Sequence, residues 1–227
     1  MYHRAKAQTA SFAVDWNAID TVLVDMDGTL LDLAFDNFFW LEVVPDRYAR
    51  EHALTPAAAR ALLAPRFDAK AGTLAWYCLD HWTRDLGLDL KTLKREHREH
   101  IRFLPGAPEF LAAVRKRRKR LYIVTNAHRD TFEIKAEHTG IDQLVDGVVC
   151  SHDFAAPKES AEFWQALERH QPFDGGRTLL IEDSLAVLAA ARSHGVGHTV
   201  AIRQPDSRQP PRVIADFAAV DGVLELV

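Results

Sequence analysis

Two carboxylates stand two residues apart where an apolar run meets a glycine turn: Asp25 and Asp27, in "VLVDMDGTLLD" (Val22–Asp32). The end of a buried strand is a costly place for charge unless something pairs with it. Three more polar groups follow along the chain: Thr125-Asn126, Pro157-Lys158-Glu159 and Glu182-Asp183-Ser184. Singly, each has an ordinary reading as a turn, a strand exit, a surface lysine or a helix cap. As an ordered set they describe one site. Asp25, Asp27, Glu182 and Asp183 bring up to four carboxylates to one place, and these repel one another unless a cation lies among them. The set demands no cysteine or histidine, and hard oxygen donors of this kind favour Mg²⁺. Mg²⁺ keeps several waters and takes substrate phosphate as a ligand. Gly28 in the turn, Thr125, Asn126 and Lys158 are then the candidate phosphate-binding groups, with Lys158 as a point charge.

Such residues must be positioned by something regular. Short apolar runs predict strands at Thr21–Asp25, Leu121–Asn126, Gly147–Cys150 and Thr178–Glu182, with weaker ones near Thr199–Ile202 and Phe217–Val220. Helical patterns follow at Pro108–Arg117, Asp130–Thr139, Glu159–His170 and Leu185–His194. Strand and helix in alternation predict an α/β core of the doubly wound, Rossmann-like kind with a parallel sheet. In such sheets ligands bind beyond the carboxyl ends of the strands, where the four polar groups fall. The alternation fails from Leu33 to Phe103. That stretch is rich in Ala, Leu, Arg and His, and it holds Trp40, Trp76 and Trp82. It reads as an all-helical insertion, broken at Pro45, near Thr55-Pro56, at Gly72 and at Gly87, with Thr55 capping a helix that starts at Pro56. The expected organisation is a core of residues 1–32 and 104–227, with a helical cap of residues 33–103.

Composition narrows the classes further. Of 227 residues, 48% are hydrophobic and 26% charged, which is enough apolar matter for a sizeable core. A net charge of -4 provides no global attraction for a nucleic-acid polymer or an anionic membrane. The two cysteines, Cys78 and Cys150, form no disulfide framework or zinc spacing and suit a reducing, cytoplasmic setting. Met1–Trp16 lacks the apolar stretch of a leader, and no apolar run approaches a membrane span. The basic run "RKRRKR" (Arg115–Arg120) reads as a solvated helix C-terminus, where cations suit the helix dipole. "HREH" (His97–His100) places two histidines three apart without a third ligand, and reads as exposed polar surface.

The four motifs, in this order and over nearly the whole chain, resemble the haloacid dehalogenase superfamily of aspartate-nucleophile phosphotransferases. The resemblance implies that Asp25 is the nucleophile and forms an aspartyl-phosphate. Asp27 would be the general acid and then the general base. Thr125 would orient the phosphoryl group, and Lys158 would neutralise Asp25 and phosphate. Asp25, the backbone carbonyl of Asp27 and Asp183 would hold Mg²⁺. Glu182 departs from the two aspartates that many relatives carry; Glu-Asp occurs in the phosphoglucomutase-like branch, so Glu182 is expected to bind Mg²⁺ directly or through water. Dehalogenases of the superfamily lack the second aspartate, so Asp27 argues against dehalogenation. "MDGTLLDLAFDNFFW" (Met26–Trp40), "LAWYCLDHW" (Leu74–Trp82), "TNAH" (Thr125–His128) and "EHTGID" (Glu137–Asp142) are further similar to the bacterial GMP/IMP nucleotidases. That implies a 5′-nucleotidase acting on a small phosphoester, a purine nucleoside monophosphate. The insertion would then close over the substrate, with Asp36, Asn37 and Trp76 as candidate specificity residues. A sugar-phosphate phosphatase or phosphomutase of the same superfamily is the alternative, and a non-catalytic phospholigand-binding module ranks below both.

Overall fold

The structure is a computed structural model that describes residues 13–227. The first twelve residues, part of the segment read as lacking a leader, lie outside the described residues. Six parallel strands form one sheet in the order β3-β2-β1-β4-β5-β6. They are β1 (Thr21–Val24), β2 (Arg120–Thr125), β3 (Gly147–Cys150), β4 (Thr178–Glu182), β5 (His198–Ile202) and β6 (Ala218–Val220). Among the described residues ten α-helices accompany them: α1 (Ala34–Phe38), α2 (Val44–Glu51), α3 (Pro56–Asp68), α4 (Leu74–Tyr77), α5 (Leu79–Leu86), α6 (Leu90–Glu96), α7 (Ala107–Lys116), α8 (Arg129–Thr139), α9 (Ala161–His170) and α10 (Leu185–His194).

The apolar strand runs are explained by cover on both sheet faces. Val22 and Val24 of β1 pack into one core layer with Phe110, Leu111 and Val114 of α7 and Ile134 of α8. Leu23 points the other way, into a layer with Phe163, Trp164 and Leu167 of α9 and Leu188 of α10. Because β1 lies between β2 and β4, the strand order reverses beside it. That reversal opens the crevice in which doubly wound sheets bind ligands.

Between β1 and β2 the chain is helical, and it has a third apolar cluster of its own. Phe39, Leu63, Phe67, Leu79, Trp82 and Leu93 are among its buried members. Burying each such side chain contributes about 1.5–3 kcal/mol. The two connectors to the sheet run side by side: Asp32 N–H donates to Arg102 O at 2.9 Å, and Leu104 N–H to Leu30 O at 2.9 Å. Thr55 caps α3 through Ala58 N–H at 3.2 Å, and Gly87 ends α5 in the left-handed region.

Pro45 does not break the helix as its type suggests. The chain stays helical from Ala34 to Glu51 through a wider π-helical turn at Phe39–Val43. Proline lacks an N–H and crowds the carbonyl four residues back. Here that carbonyl is Leu41 O, which takes a hydrogen bond from Arg60 Nε at 3.4 Å instead.

One contact between insertion and sheet is sensitive to protons. His152, just after β3, lies edge-on to His128, with ring centroids 4.9 Å apart. Neither ring nitrogen of His152 meets a hydrogen-bond partner among the described residues. His128 faces Asp80 of α5 at 3.9 Å. Burial, and then His128, lower the His152 pKa to about 4, against the weaker pull of Asp153 and Asp80. The folded-state value lies below the unfolded one, so the unfolded chain takes up the proton first. Stability from this site is therefore complete above about pH 6.5 and is lost as pH falls toward 4. Replacing His152→Leu should flatten that loss. Urea midpoints of wild type and variant, compared from pH 7 to 4.5, check it; parallel curves would contradict it.

Candidate active site

The carboxyl ends of β1, β2 and β4 and the loop after β3 bring the four polar groups together. Asp25, Asp27, Thr125, Asn126, Lys158, Glu182 and Asp183 all line one cavity of about 620 Å³. Lys158, 1% exposed, is at its centre. Its ammonium donates to Asp25 Oδ1 at 2.5 Å, Glu182 Oε2 at 2.7 Å and Val124 O at 2.8 Å. Those three acceptors use all three of its protons. Its own backbone is held as well: its N–H donates to Asn126 Oδ1 at 2.9 Å, and its carbonyl accepts from Trp164 Nε1 at 2.7 Å. A surface lysine would show none of this.

The carboxylates outnumber that ammonium. Asp25, Glu182 and Asp183 offer oxygens that all lie within 4.8 Å of one another. Glu182 Oε1 accepts from Ser184 N–H at 3.0 Å, and among the described residues Asp183 has one ion-pair partner, Arg212 at 4.0 Å. Burial, and then the charge of Glu182, push Asp25 up to about 8 despite Lys158. Burial likewise pushes Glu182 up to about 7, and burial and Asp25 push Asp183 up to about 6. Burial by itself favours a neutral Lys158, but Asp25 and Glu182 outweigh it and hold the ammonium above its usual range. Three carboxylates against one ammonium leave a formal deficit of two positive charges. An all-oxygen donor set with that deficit fits one Mg²⁺. The turn is built to the same tolerance. Gly28 has φ +86°, and a Cβ there would come within 3.0 Å of Asp183 Oδ2 and 2.9 Å of Pro205 Cβ.

A second group of charges beside the first is balanced. Lys135 of α8 donates to Asp27 Oδ1 and to Asp36 Oδ2, each at 2.5 Å. Lys94 of α6 donates to the other Asp36 oxygen at 2.8 Å. Both lysines are 1% exposed. Burial works to raise Asp36, but the two ammoniums outweigh it and hold its carboxyl well below the usual range. For Asp27 burial prevails over Lys135, and its pKa is raised.

The remaining expected residues lie around these groups. Thr125 is buried, and its Oγ1 accepts from Ala127 N–H at 3.0 Å, which leaves the hydroxyl proton to donate. Asn126 Nδ2 donates to Glu159 Oε2 at 3.0 Å, and Glu159 Oε1 accepts from Tyr77 OH of the insertion at 2.7 Å. Asn37 Nδ2 donates to Asp206 at 2.7 Å. Asn37, Asp36 and Trp76 all line the cavity. Trp82 is instead buried in the insertion's own core. On the surface, Glu99, which lies within "HREH" itself, brings a carboxylate oxygen within 4.8 Å of His97 and His100, a third donor that the reading of the motif as two histidines passes over. Of the basic run, Arg115 and Lys116 end α7, residues 117–119 lie in the turn that follows, and Arg120 opens β2.

The sequence profile of the haloacid dehalogenase-like hydrolases matches residues 19–195. The chain belongs to that family. It is 38% identical over 194 residues to the GMP/IMP nucleotidase YrfG of Escherichia coli (strain K12), an alignment that spans 86% of this chain and 87% of that protein. A haloacid dehalogenase-superfamily phosphatase from Thermococcus onnurineus shares the fold at TM-score 0.75 and 22% identity, covering 91% of this chain and 95% of that one. The L-2-haloacid dehalogenase of Xanthobacter autotrophicus shares it at TM-score 0.61 and 14% identity, over 91% and 96% of the two chains. The chain is thus a hydrolase, and the doubly wound core is that of its family. Fold alone does not separate the reactions these neighbours catalyse. Among the described residues, no helix is long and apolar enough to cross a membrane.

Lys94 and Lys135 are absent from the sequence-derived site. In isolation a lysine on a helix is a solvated residue. The available signal was phase: Lys135 falls one turn after Thr131, on the inward side of α8, and Lys94 follows Leu90 and Leu93 of α6. Removing one member of a buried pair leaves its partner uncompensated and costs about 3–5 kcal/mol. Lys135→Ala should therefore destabilise the fold by about that much, since it strands Asp27 and leaves Asp36 with Lys94 alone. Lys135→Met combined with Asp27→Asn, which leaves the Asp36–Lys94 pair intact, should cost less. Urea unfolding of the three proteins measures it, and equal stability of wild type and Lys135→Ala would contradict the pairing.

Proposed function

We propose that the chain is a Mg²⁺-dependent phosphomonoester hydrolase working through an aspartyl-phosphate on Asp25, and that its substrates are purine nucleoside 5′-monophosphates, GMP and IMP foremost. One observation carries the chemistry. Asp25 is held by Lys158 in a cavity that Thr125, Asp27 and Asp183 also line, with an Asp183 oxygen within 4.8 Å of one of its own. The substrate assignment is supported by the 38% identity to a GMP/IMP nucleotidase over most of both chains.

In this reading an oxygen of Asp25 attacks phosphorus and the ester P–O bond breaks. Asp27, whose raised pKa suits a proton donor, passes its proton to the leaving oxygen. Asp27 then takes a proton from water, the water oxygen attacks phosphorus, and the bond to Asp25 breaks to release inorganic phosphate. One difficult displacement becomes two easier ones. Lys158 and the Thr125 hydroxyl stabilise the charge spread over the phosphoryl oxygens. Asp25, the Asp27 backbone carbonyl and Asp183 would hold Mg²⁺, with Glu182 acting directly or through water. The metal supplies positive charge to the phosphoryl group. Asp27 sets this reading apart from dehalogenation, which has no leaving oxygen to protonate.

Residues 33–103 act as a cap that closes over the substrate, and residues 1–32 with 104–227 form the core beneath. Of the candidate specificity residues, Asp36 has both oxygens taken by lysines. Asn37, whose Oδ1 meets no hydrogen-bond partner among the described residues, and Trp76 are better placed to meet substrate.

Phosphate release measured across nucleotides and sugar phosphates, with Mg²⁺ and with chelator, tests the proposal. GMP and IMP should exceed pyrimidine monophosphates in kcat/KM, hexose phosphates should be poorer still, and chelator should silence all. Better turnover of hexose phosphates than of any nucleotide would remove the substrate assignment. Asp25→Asn should reduce turnover to background in a folded protein. Lys158→Ala should lower kcat by about 100- to 1000-fold, the range seen on losing a transition-state charge partner. Near-normal activity in folded Asp25→Asn would remove the mechanism.

A further inference from the structure

The cavity has a second end. Above the carboxylate floor its walls come from the insertion, where Trp40, Phe67 and Trp76 present aromatic surface. Phe67 meets Trp40 at 5.7 Å and Trp76 at 6.1 Å, both edge to face. The polar side chains around this wall are almost all engaged. Arg60 donates to Asp46 and to Leu41 O, Tyr77 to Glu159, Asn37 to Asp206 and Lys94 to Asp36. Asp68 is different. It lines the cavity next to Phe67, it is exposed, and its carboxylate has no hydrogen-bond or ion-pair partner among the described residues. It is also well anchored: Arg66, two residues before it, donates to Asp85 Oδ2 at 2.6 Å and to Asp85 O at 2.8 Å, tying the last turn of α3 to α5.

We infer that Asp68 is a specificity-determining residue that reads the N1–H edge of a 6-oxopurine base stacked against the aromatic wall. The inference rests on the nucleotidase reading above and deepens it. An ionised carboxylate can only accept hydrogen bonds. Guanine presents N1–H and the N2 amino group side by side, a match for two carboxylate oxygens. Hypoxanthine presents N1–H alone. Adenine presents a lone pair at N1, which a carboxylate repels. One acceptor-only group therefore accounts for a site that takes both GMP and IMP, and it orders the purines as GMP, then IMP, then AMP.

The test uses the full chain and steady-state kcat/KM for GMP, IMP, AMP and N1-methyl-GMP, on wild type, Asp68→Asn and Asp68→Ala, with folding followed by circular dichroism. Wild type should favour GMP over AMP and over N1-methyl-GMP by about 10- to 100-fold, the range for a hydrogen bond to a charged group. Asp68→Ala should bring the GMP-to-AMP ratio toward one and erase the preference for GMP over IMP. Asp68→Asn, whose amide can also donate to adenine N1, should raise AMP relative to GMP. Unchanged ratios in both variants would overturn the inference, and so would N1-methyl-GMP serving wild type as well as GMP. That last comparison needs no variant, so it decides even where a substitution impairs folding. Phosphate release by wild type from other esters but from no purine mononucleotide is a separate result. It would overturn the nucleotidase reading and this inference with it.

Discussion

Everything at the carboxyl edge of the sheet is organised by one ammonium that is not enough. Lys158 fills its three donor positions with Asp25, Glu182 and a strand carbonyl, yet Asp183 remains almost unpaired beside them. Burial makes this arrangement unfavourable as it stands, which is why all three carboxyls are driven upward in pKa. A divalent cation with a preference for oxygen would remove the conflict. The deficit is thus a built-in demand for a ligand, in contrast to the neighbouring group of Asp27, Asp36, Lys94 and Lys135, where two charges of each sign cancel.

That balanced group does a different mechanical task. Asp36 and Lys94 belong to the insertion, one near its start and one near its end; Asp27 belongs to the turn after β1, and Lys135 to a helix of the core layer. A chain of short ion pairs therefore links both stems of the insertion to the loop that carries Asp27. The paired connectors at Leu30–Asp32 and Arg102–Leu104 lie in the same region. The position of the insertion and the position of Asp27 are set by one set of contacts. Because the group is neutral as a whole, it can be rigid without competing for the cation that its neighbour requires.

Much of this was legible before any coordinates. Buried parallel strands announce themselves as short runs such as Thr178–Glu182, because both faces are covered and no polar alternation is needed. The polar residues that end those runs must lie at the ligand edge, which is how Asp25, Thr125 and Asp183 were recognisable. Lys158 was recognisable only as part of the ordered set, because lysine after proline has no local signature. Lys94, Lys135 and Tyr77 were not found, since each gains its role from a partner 58 to 108 residues distant in sequence. Pro45 misled for a related reason. Its local rule is sound, but a π-turn and the remote Arg60 relieve the conflict that would otherwise end the helix.

The charges lining the cavity also constrain how an anionic substrate can enter it. Six carboxylates, Asp25, Asp27, Asp36, Asp68, Glu182 and Asp183, face only Arg60, Lys94 and Lys158 as lining cations. Arg60 and Lys94 are already paired with Asp46 and Asp36, and Lys158 with two acids of the floor. A phosphate dianion approaching such a wall meets net repulsion at short range, where screening by salt is weakest. On the proposed reading phosphate affinity and metal affinity would therefore be linked, each favouring the other by supplying the charge that the other lacks. The aromatic surfaces of Trp40, Phe67 and Trp76 carry no charge of their own to take part in that linkage. On the reading proposed above, a base stacked there would gain its stacking affinity whether or not the floor is neutralised, so recognition of the base by the insertion and activation of the phosphoryl group by the floor would be separable.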